Sequence, residues 1–472
     1  MKHIISSIII SLAGTLVAGA QALSLEQSKQ AFATGDYGTA APGLASAADA
    51  EPKNKNLNHM AGVAMMRSGQ PDKAEEYLKR GTNESLLFLA RMAVDEYEFD
   101  EAEELIDQFN ESIKPKRRKG RKQTDEQEVK PEIYTEVEEA LERGRSMIQR
   151  VEKIVVIDSI AVPRDEFFKA YRLAASAGKI GGTDLLPQGF PAARPTTVHV
   201  SPDGESMIWA ATDSADNSII AEATRLADGS WEGPYYPNGD LGEGGNVNYP
   251  FLMSDGVTLY FAADGESSLG GYDIYISRRD GEGFLQPQNL GLPYNSPYDD
   301  YMLAIDEETG TGWWATDRNQ LGDNITIYRF IPSELRKNYP ADTPDLIDKA
   351  KLTDYRSTWE PGADYAALIA SPSADKSIGS KEAAFRFALP DGRILTQLSD
   401  IKNQRARTLL SDYLNLQASL QKQVEALEEM RSKYRSGERS MASKIIGAET
   451  KLESSRKEIL RKRNEIVSAI MR

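Results

Sequence analysis

The sequence predicts a multidomain chain that joins α-helical and all-β structure. An α-solenoid of helical hairpins comes first, then a β-propeller of about five blades, then an antiparallel helical hairpin. Three observations predict this. Gly35, Ala40 and Leu44 recur 34 positions on as Gly69, Ala74 and Leu78. Ser201-Pro202-Asp203-Gly204 recurs 52 positions on as Ser254-Asp255-Gly256, each copy followed by a β-branched and aromatic run. From Leu409 onward, apolar residues return at steps of four and three, the spacing of a coiled-coil seam.

A chain of 472 residues exceeds one ordinary core. The net charge of −16 argues against a general nucleic-acid binder, since phosphate contact needs a basic face. The absence of cysteine excludes disulfides, thiolate nucleophiles, cysteine-ligated metals and a lipoprotein anchor. The three histidines (His3, His59, His199) are scattered. Lys2 and His3 precede an apolar run from Ile4 to Ala20, and Ala20-Gln21-Ala22 fits a small-x-small cleavage site. Residues 1–22 therefore read as a secretory signal peptide, with a transmembrane anchor as the rival. The expected mature chain is periplasmic and carries no membrane span.

Over residues 23–113 the period is helical. The set Gly35-Asp36-Tyr37, Ala40, Leu44 has its second copy in Gly69, Ala74 and Leu78, with Gly62 as a further small residue. A third copy, Tyr97-x-Phe99 with Ala102, Ile106 and Phe109, arrives after only 28 positions. This spacing looks like the tetratricopeptide repeat, in which Ala and Gly let paired helices approach closely; an unrelated helical bundle is the plainer reading. Aligned on the repeat, Lys29, Phe32, His59, Val63, Met66, Arg67 and Arg91 fall on first-helix positions that face a bound partner. Residues 114–130 hold a basic linker, Lys114 to Lys122, read as a solvated loop, with contact to anionic headgroups as the alternative. A connecting helix is expected over 131–152, with Pro131 in its first turn.

Residues 153–401 read as the propeller. Ile154 to Val162 is a strand by β-branching, and Asp-Gly marks the tight turns. A third, divergent unit runs from Ala304 through Glu307-Glu308-Thr309-Gly310 to Trp314. Tyr365 to Ile369 and Ala383 to Leu398 are further strand candidates, the latter turning at Pro390-Asp391-Gly392. Dividing Val155 to Ile401 by a period near 50 gives about five blades, with four or six left open. Over 402–472 two seams flank Gly437: Leu409, Tyr413, Leu416, Leu420, Val424, Leu427, and then Met441, Ile445, Ala448, Leu452, Ser455, Ile459. A hairpin is expected, against one continuous rod. Apolar flanks beside the seams predict that it docks on a partner subunit or on this chain's own β-domain, with Leu420 and Leu427 as the test positions.

The turns Ser201-Pro202-Asp203-Gly204 and Ser254-Asp255-Gly256 and the run Gly270-Gly271-Tyr272-Asp273-Ile274-Tyr275 resemble the WD40-like, Pro-Asp type propeller repeat of bacterial envelope proteins. With Asn289-Leu290-Gly291-x-Pro293-x-Asn295-Ser296 and Asp299-Asp300, the stretch from Leu25 to Ile331 is similar to the tetratricopeptide–propeller envelope proteins of Bacteroidota. That group includes the PorE-type accessory proteins of type IX secretion. The tail departs from them, a helical hairpin standing where an OmpA-like domain would be. The resemblance implies other envelope proteins as partners, in an outer-membrane or peptidoglycan-associated complex.

There is no Gly-x-Ser-x-Gly elbow, no His-Glu-x-x-His and no phosphate-cradling loop. Asp213-x-x-Asp216-Asn217, Asp264-Gly-Glu266 and Asp299-Asp300 offer oxygens to calcium, but without EF-hand spacing, and Asp and Gly are also what turns require. Tyr235, Tyr236, Tyr249, Trp313 and Trp314 would serve a sugar platform or a blade core. The expectation is a non-enzymatic scaffold with no cofactor and no metal. The alternative is a carbohydrate-binding or glycan-processing protein with its site at the propeller mouth.

Overall fold

A computed structural model describes residues 23–114, 130–281, 283–333, 335–370, 387–389 and 393–471, with positions 385 and 391. The expected signal peptide, nearly all of the basic linker, and much of the stretch between Ala383 and Gly392 lie outside the described residues. The chain divides into two compact units at Glu138/Glu139.

The first unit is a series of helical hairpins: α1 (Leu25–Ala33) with α2 (Tyr37–Ala50), α3 (Lys55–Arg67) with α4 (Pro71–Lys79), and α5 (Ser85–Asp95) with α6 (Phe99–Ile113). Local chemistry sets their starts. The side chains of Ser24, Asp36 and Asn54 accept backbone N–H groups of the first turns of α1, α2 and α3, and Pro71 opens α4. The period follows from packing. Ala40, Ala74 and Ala102 are fully buried, and a Cβ on Gly62 would stand 2.6 Å from Leu78 Cγ. The third interval is short because α4 and α5 have 9 and 11 residues where α2 and α3 have 14 and 13. Gly35 and Gly69 end the first helices of two hairpins at φ 78° and 75°. In the third hairpin Tyr97 takes that left-handed position at φ 62°, a conformation unfavourable for a bulky residue. α7 (Glu132–Ile148) follows, with Tyr134 packed on Phe109.

The second unit is built on three antiparallel sheets. The first runs β2 (Lys179–Gly181), β3 (Val198–Val200), β4 (Ser206–Thr212), β5 (Ser218–Arg225), β6 (Trp231–Tyr235). The second contains β7 (Val247–Leu252), β8 (Thr258–Ala263) and β9 (Asp273–Asp280), with β10 (Gly283–Phe284) and β11 (Gln288–Asn289) both pairing with β9. The third orders β12 (Asp300–Asp306), β13 (Thr311–Thr316) and β14 (Asn324–Ile331), and β1 (Val155–Pro163) closes it against β14. The hairpins β3–β4, β7–β8 and β12–β13 each turn at one copy of the repeated acidic turn. Adjoining sheets share apolar clusters. In one, Phe167, Tyr249, Phe251, Tyr301 and Trp313 meet, with Tyr249 and Tyr301 stacked at 4.4 Å.

The described residues thus hold three blade-like sheets where the period predicts about five. The division assumed that all of 155–401 repeats, and its two ends do not. The N-terminal strand belongs to the last sheet. Beyond Ile331 come α8 (Leu346–Lys351) and α9 (Ala366–Ile369), which replaces the strand expected at Tyr365 to Ile369. Tyr365 and Leu368 are buried beside Ile157 and Ile331, so a helical turn covers this apolar patch. The last strand candidate is a short ribbon, β15 (Phe387–Ala388) with β16 (Ile394–Leu395).

The tail is a hairpin and not a rod. α10 (Gln404–Arg435) and α11 (Ala442–Met471) fold back on each other after Gly437, which sits at φ 110°. Among the described residues no helix is long and apolar enough to cross a membrane.

Candidate partner-binding surfaces

The first-helix residues of the solenoid divide by environment. Val63 is core, 5% exposed. Phe32 stands edge-on to Tyr37, and Lys29 pairs with Glu26 on its own helix. His59 is half-buried, its Nδ1 2.9 Å from Ser85 Oγ and its ring edge-on to Phe88. Burial holds its pKa below the usual histidine range, against the opposing pull of Glu84, so the ring is neutral at neutral pH. Met66 is half-buried and Arg67 exposed at the end of α3.

Arg67 and Arg91 are drawn together by Glu136, a residue that the repeat alignment does not single out. Arg91 donates to Asp95 at 2.9 Å and stands 3.8 Å from Glu136 of α7, while Arg67 reaches the other oxygen of Glu136 at 3.4 Å. Glu136 therefore links α3, α5 and α7, and Arg91, with its side chain 14% exposed, is committed inside the unit. Burial raises the Asp95 carboxyl to about 6 despite Arg91 beside it. Of the predicted set, Lys29 and Arg67 have exposed side chains, at 40% and 43%, and Met66 lies half-buried beside Arg67. Glu136 belongs to a helix outside the repeat period, so nothing in that period signals it.

The hairpin positions need correction. Leu427 is 2% exposed and packs with Ile445 and Leu452, and Leu420 packs against the same cluster. Both belong to the seam between α10 and α11 and do not face a partner. What docks the hairpin is charge, and it docks on this chain's own sheets. Arg431 pairs with Glu205 at 2.8 Å and Arg456 with Asp203 at 2.9 Å. The two carboxylates belong to the turn between β3 and β4. The sequence signal was present as arginines beside the seam, but seam spacing ranks apolar positions and passes over them.

The loop carboxylates hold loops. Asp213 accepts the N–H groups of Ala215 and Asn217, Asp264 pairs with Asn246, and Asp299 accepts Tyr272 N–H. No group of three or more His, Asp or Glu is placed to hold a metal ion among the described residues. Of the aromatic set, Tyr249, Trp313 and Trp314 are buried, whereas Tyr235 and Tyr236 are about half exposed, at 47% and 49%. The Asn289–Ser296 phrase is a polar lock between the second and third sheets. Asn295 exchanges two hydrogen bonds with the backbone of Ile274, and Asn289 donates to Asp273 at 2.6 Å. Asp300 takes Ser296 Oγ at 2.6 Å and Arg318 at 2.7 Å, and Arg318 also donates to the carbonyls of Pro293 and Tyr294.

Residues 31–86 match the sequence model of the tetratricopeptide repeat. No curated protein and no solved structure matches the chain. The match covers α2, α3 and α4 with parts of α1 and α5, and tetratricopeptide repeats point to a scaffold that binds other proteins.

Proposed function

We propose that this chain is a non-enzymatic periplasmic scaffold that joins other proteins of the cell envelope, in an assembly of the type IX secretion or gliding-associated kind. The observation that carries the scaffold reading is the repeat unit itself, stacked helical hairpins matched by the tetratricopeptide model. The envelope reading rests on the Ala20-Gln21-Ala22 cleavage pattern and on the resemblance carried by the Asp-containing turns. The partner-binding surface is the exposed end of the first-helix face around Met66 and Arg67, since Val63 and Arg91 are held within the unit.

The test is capture from crosslinked envelopes with tagged chains. Met66→Asp combined with Arg67→Glu should reduce recovery of the principal partner at least tenfold while circular dichroism stays unchanged. Equal recovery would remove this surface from the reading. An intact mass retaining residues 1–22 in the membrane fraction would remove the soluble periplasmic placement.

A further inference from the structure

The hairpin and the sheets are built as separately closed bodies. The apolar cluster at the hairpin's root takes its residues from Phe385 onward: Phe387, Leu395, Leu410, Tyr413 and Ile466 are at its centre. The cluster toward the tip lies within Leu420 to Leu452. The clusters that unite the three sheets draw on residues between Ile154 and Leu352. Where the two bodies meet, the bonds are ionic and the space is loosely filled. A cavity of about 520 Å³ lies between the turns of the first two sheets and Arg456 and Lys457. A second, of about 720 Å³, separates Met253 and Ile305 from Val467 and Met471. The cavities leave part of this boundary unpacked, and the ion pairs of Arg431 and Arg456 cross it beside them.

The sheets' contribution is a cluster of repeated turns. Each has an acidic residue that folds the turn, and they converge: Ser254 Oγ bonds Glu307, and Leu252 N–H donates to His199 Nδ1. Asp203 divides its oxygens. Oδ1 accepts Ser201 Oγ and Glu205 N–H and so fixes the turn, while Oδ2 takes Arg456. Burial opposes its ionisation, but these bonds together hold its carboxyl below the usual range, so it is charged at neutral pH. Glu307, in the third turn, lines the same cavity as Arg463; burial raises its carboxyl, and the Arg463 guanidinium opposes that rise. Arg456 and Arg463 are seven residues apart on α11, two turns or about 10 Å.

We propose that this cluster of acidic turns is a receptor for a basic helix: α11 fills it in cis, and a second protein's helix bearing arginines seven residues apart takes the place when the hairpin lifts. The site is distinct from the helical repeats and stands whether or not they bind a partner. Cis occupancy gives α11 an effective concentration in the millimolar range, so the closed chain excludes weak competitors.

The experiment uses the full chain and a labelled synthetic peptide of residues 450–471. Arg456→Glu with Arg431→Gln removes both ion pairs to the Asp203–Glu205 turn and leaves the apolar seams of the hairpin untouched. This variant should bind the peptide at least tenfold more tightly than the unmodified chain, and the affinity should fall as salt rises. Amide exchange in residues 442–471 should quicken. Adding Asp203→Asn, which keeps an acceptor for Ser201 Oγ and Glu205 N–H but removes the charge, should weaken peptide binding at least tenfold. If the double variant fails to fold, Arg456→Gln serves in its place. Peptide affinity equal in the opened and unmodified chains, or indifferent to Asp203→Asn, would overturn the proposal.

Discussion

In the helical repeats, contact between units is set by volume. Gly62 lies against Leu78, and Ala40, Ala74 and Ala102 are wholly enclosed. Between the second and third sheets, buried charge is added to the apolar contact. Asp273 and Asp300 are both 0% exposed and are held by Asn289, Ser296 and Arg318. The two regions are both repetitive, but they tolerate change differently. A volume contact fails gradually, by a cavity or a clash, and is indifferent to pH. A buried ionic contact fails abruptly once one partner is lost, and it carries a proton dependence.

Arg318→Ala is the sharpest way to break this contrast. It leaves Asp300 buried without its cation and should cost about 3–5 kcal/mol in urea unfolding. A cost below about 1 kcal/mol would mean that the lock is ornamental. Gly62→Ala should cost about 1–3 kcal/mol by overpacking, read from the thermal midpoint of the first transition, with no change across pH 5–8. Asp273 adds the proton. Burial pushes its carboxyl up to about 7, although Leu269 N–H and Asn289 donate to it. The unfolded chain has the ordinary value near 4, so between these limits the folded state binds more protons. Stability is then greatest below about pH 4, is lost as pH rises to about 7 at no more than about 1.4 kcal/mol per unit, and is flat above. Asp273→Asn keeps an acceptor and should flatten that slope, which urea midpoints at pH 5, 6, 7 and 8 would show. The smallest effect belongs to Arg67→Ala: its pair with Glu136 is exposed and should contribute under about 1 kcal/mol. A larger loss would make Glu136 a structural bolt of the first unit.

How legible these features were follows from the same physics. Volume contacts write themselves at fixed intervals, so Ala40, Ala74 and Ala102 were readable even where α4 and α5 shorten the period. Asp203-Gly204 and Asp255-Gly256 were readable as turns because glycine tolerates their backbone geometry, at φ 70° and 68°. The blade count was not readable, because β1 and β14 are partners far apart in sequence and no local pattern reports such pairing. The seam of the hairpin was readable, but its docking was not. Leu420 and Leu427 pack against Ile445 and Leu452 of α11, and the docking contact fell to arginines whose usual place is the solvent. The tie through Glu136 was equally hidden, since its value depends on where α7 comes to lie.

The pairing of β1 with β14 has a consequence in time. Val155 meets Ile331 and Pro163 meets Asn324, so the third sheet cannot be completed until the chain beyond Ile331 has emerged. The first two sheets depend on strands close in sequence and can form as they are synthesised. During that interval β1 is an apolar segment without its neighbour, a target for chaperones and for wrong pairings. Once it is placed, the start of its other edge is covered as well: Thr358 Oγ1 accepts Val156 N–H, and Trp359 Nε1 donates to Val156 C=O. The segment that ends the sheets thus also guards the strand that began them, and a chain cut after Ile331 would expose an edge able to recruit others like itself.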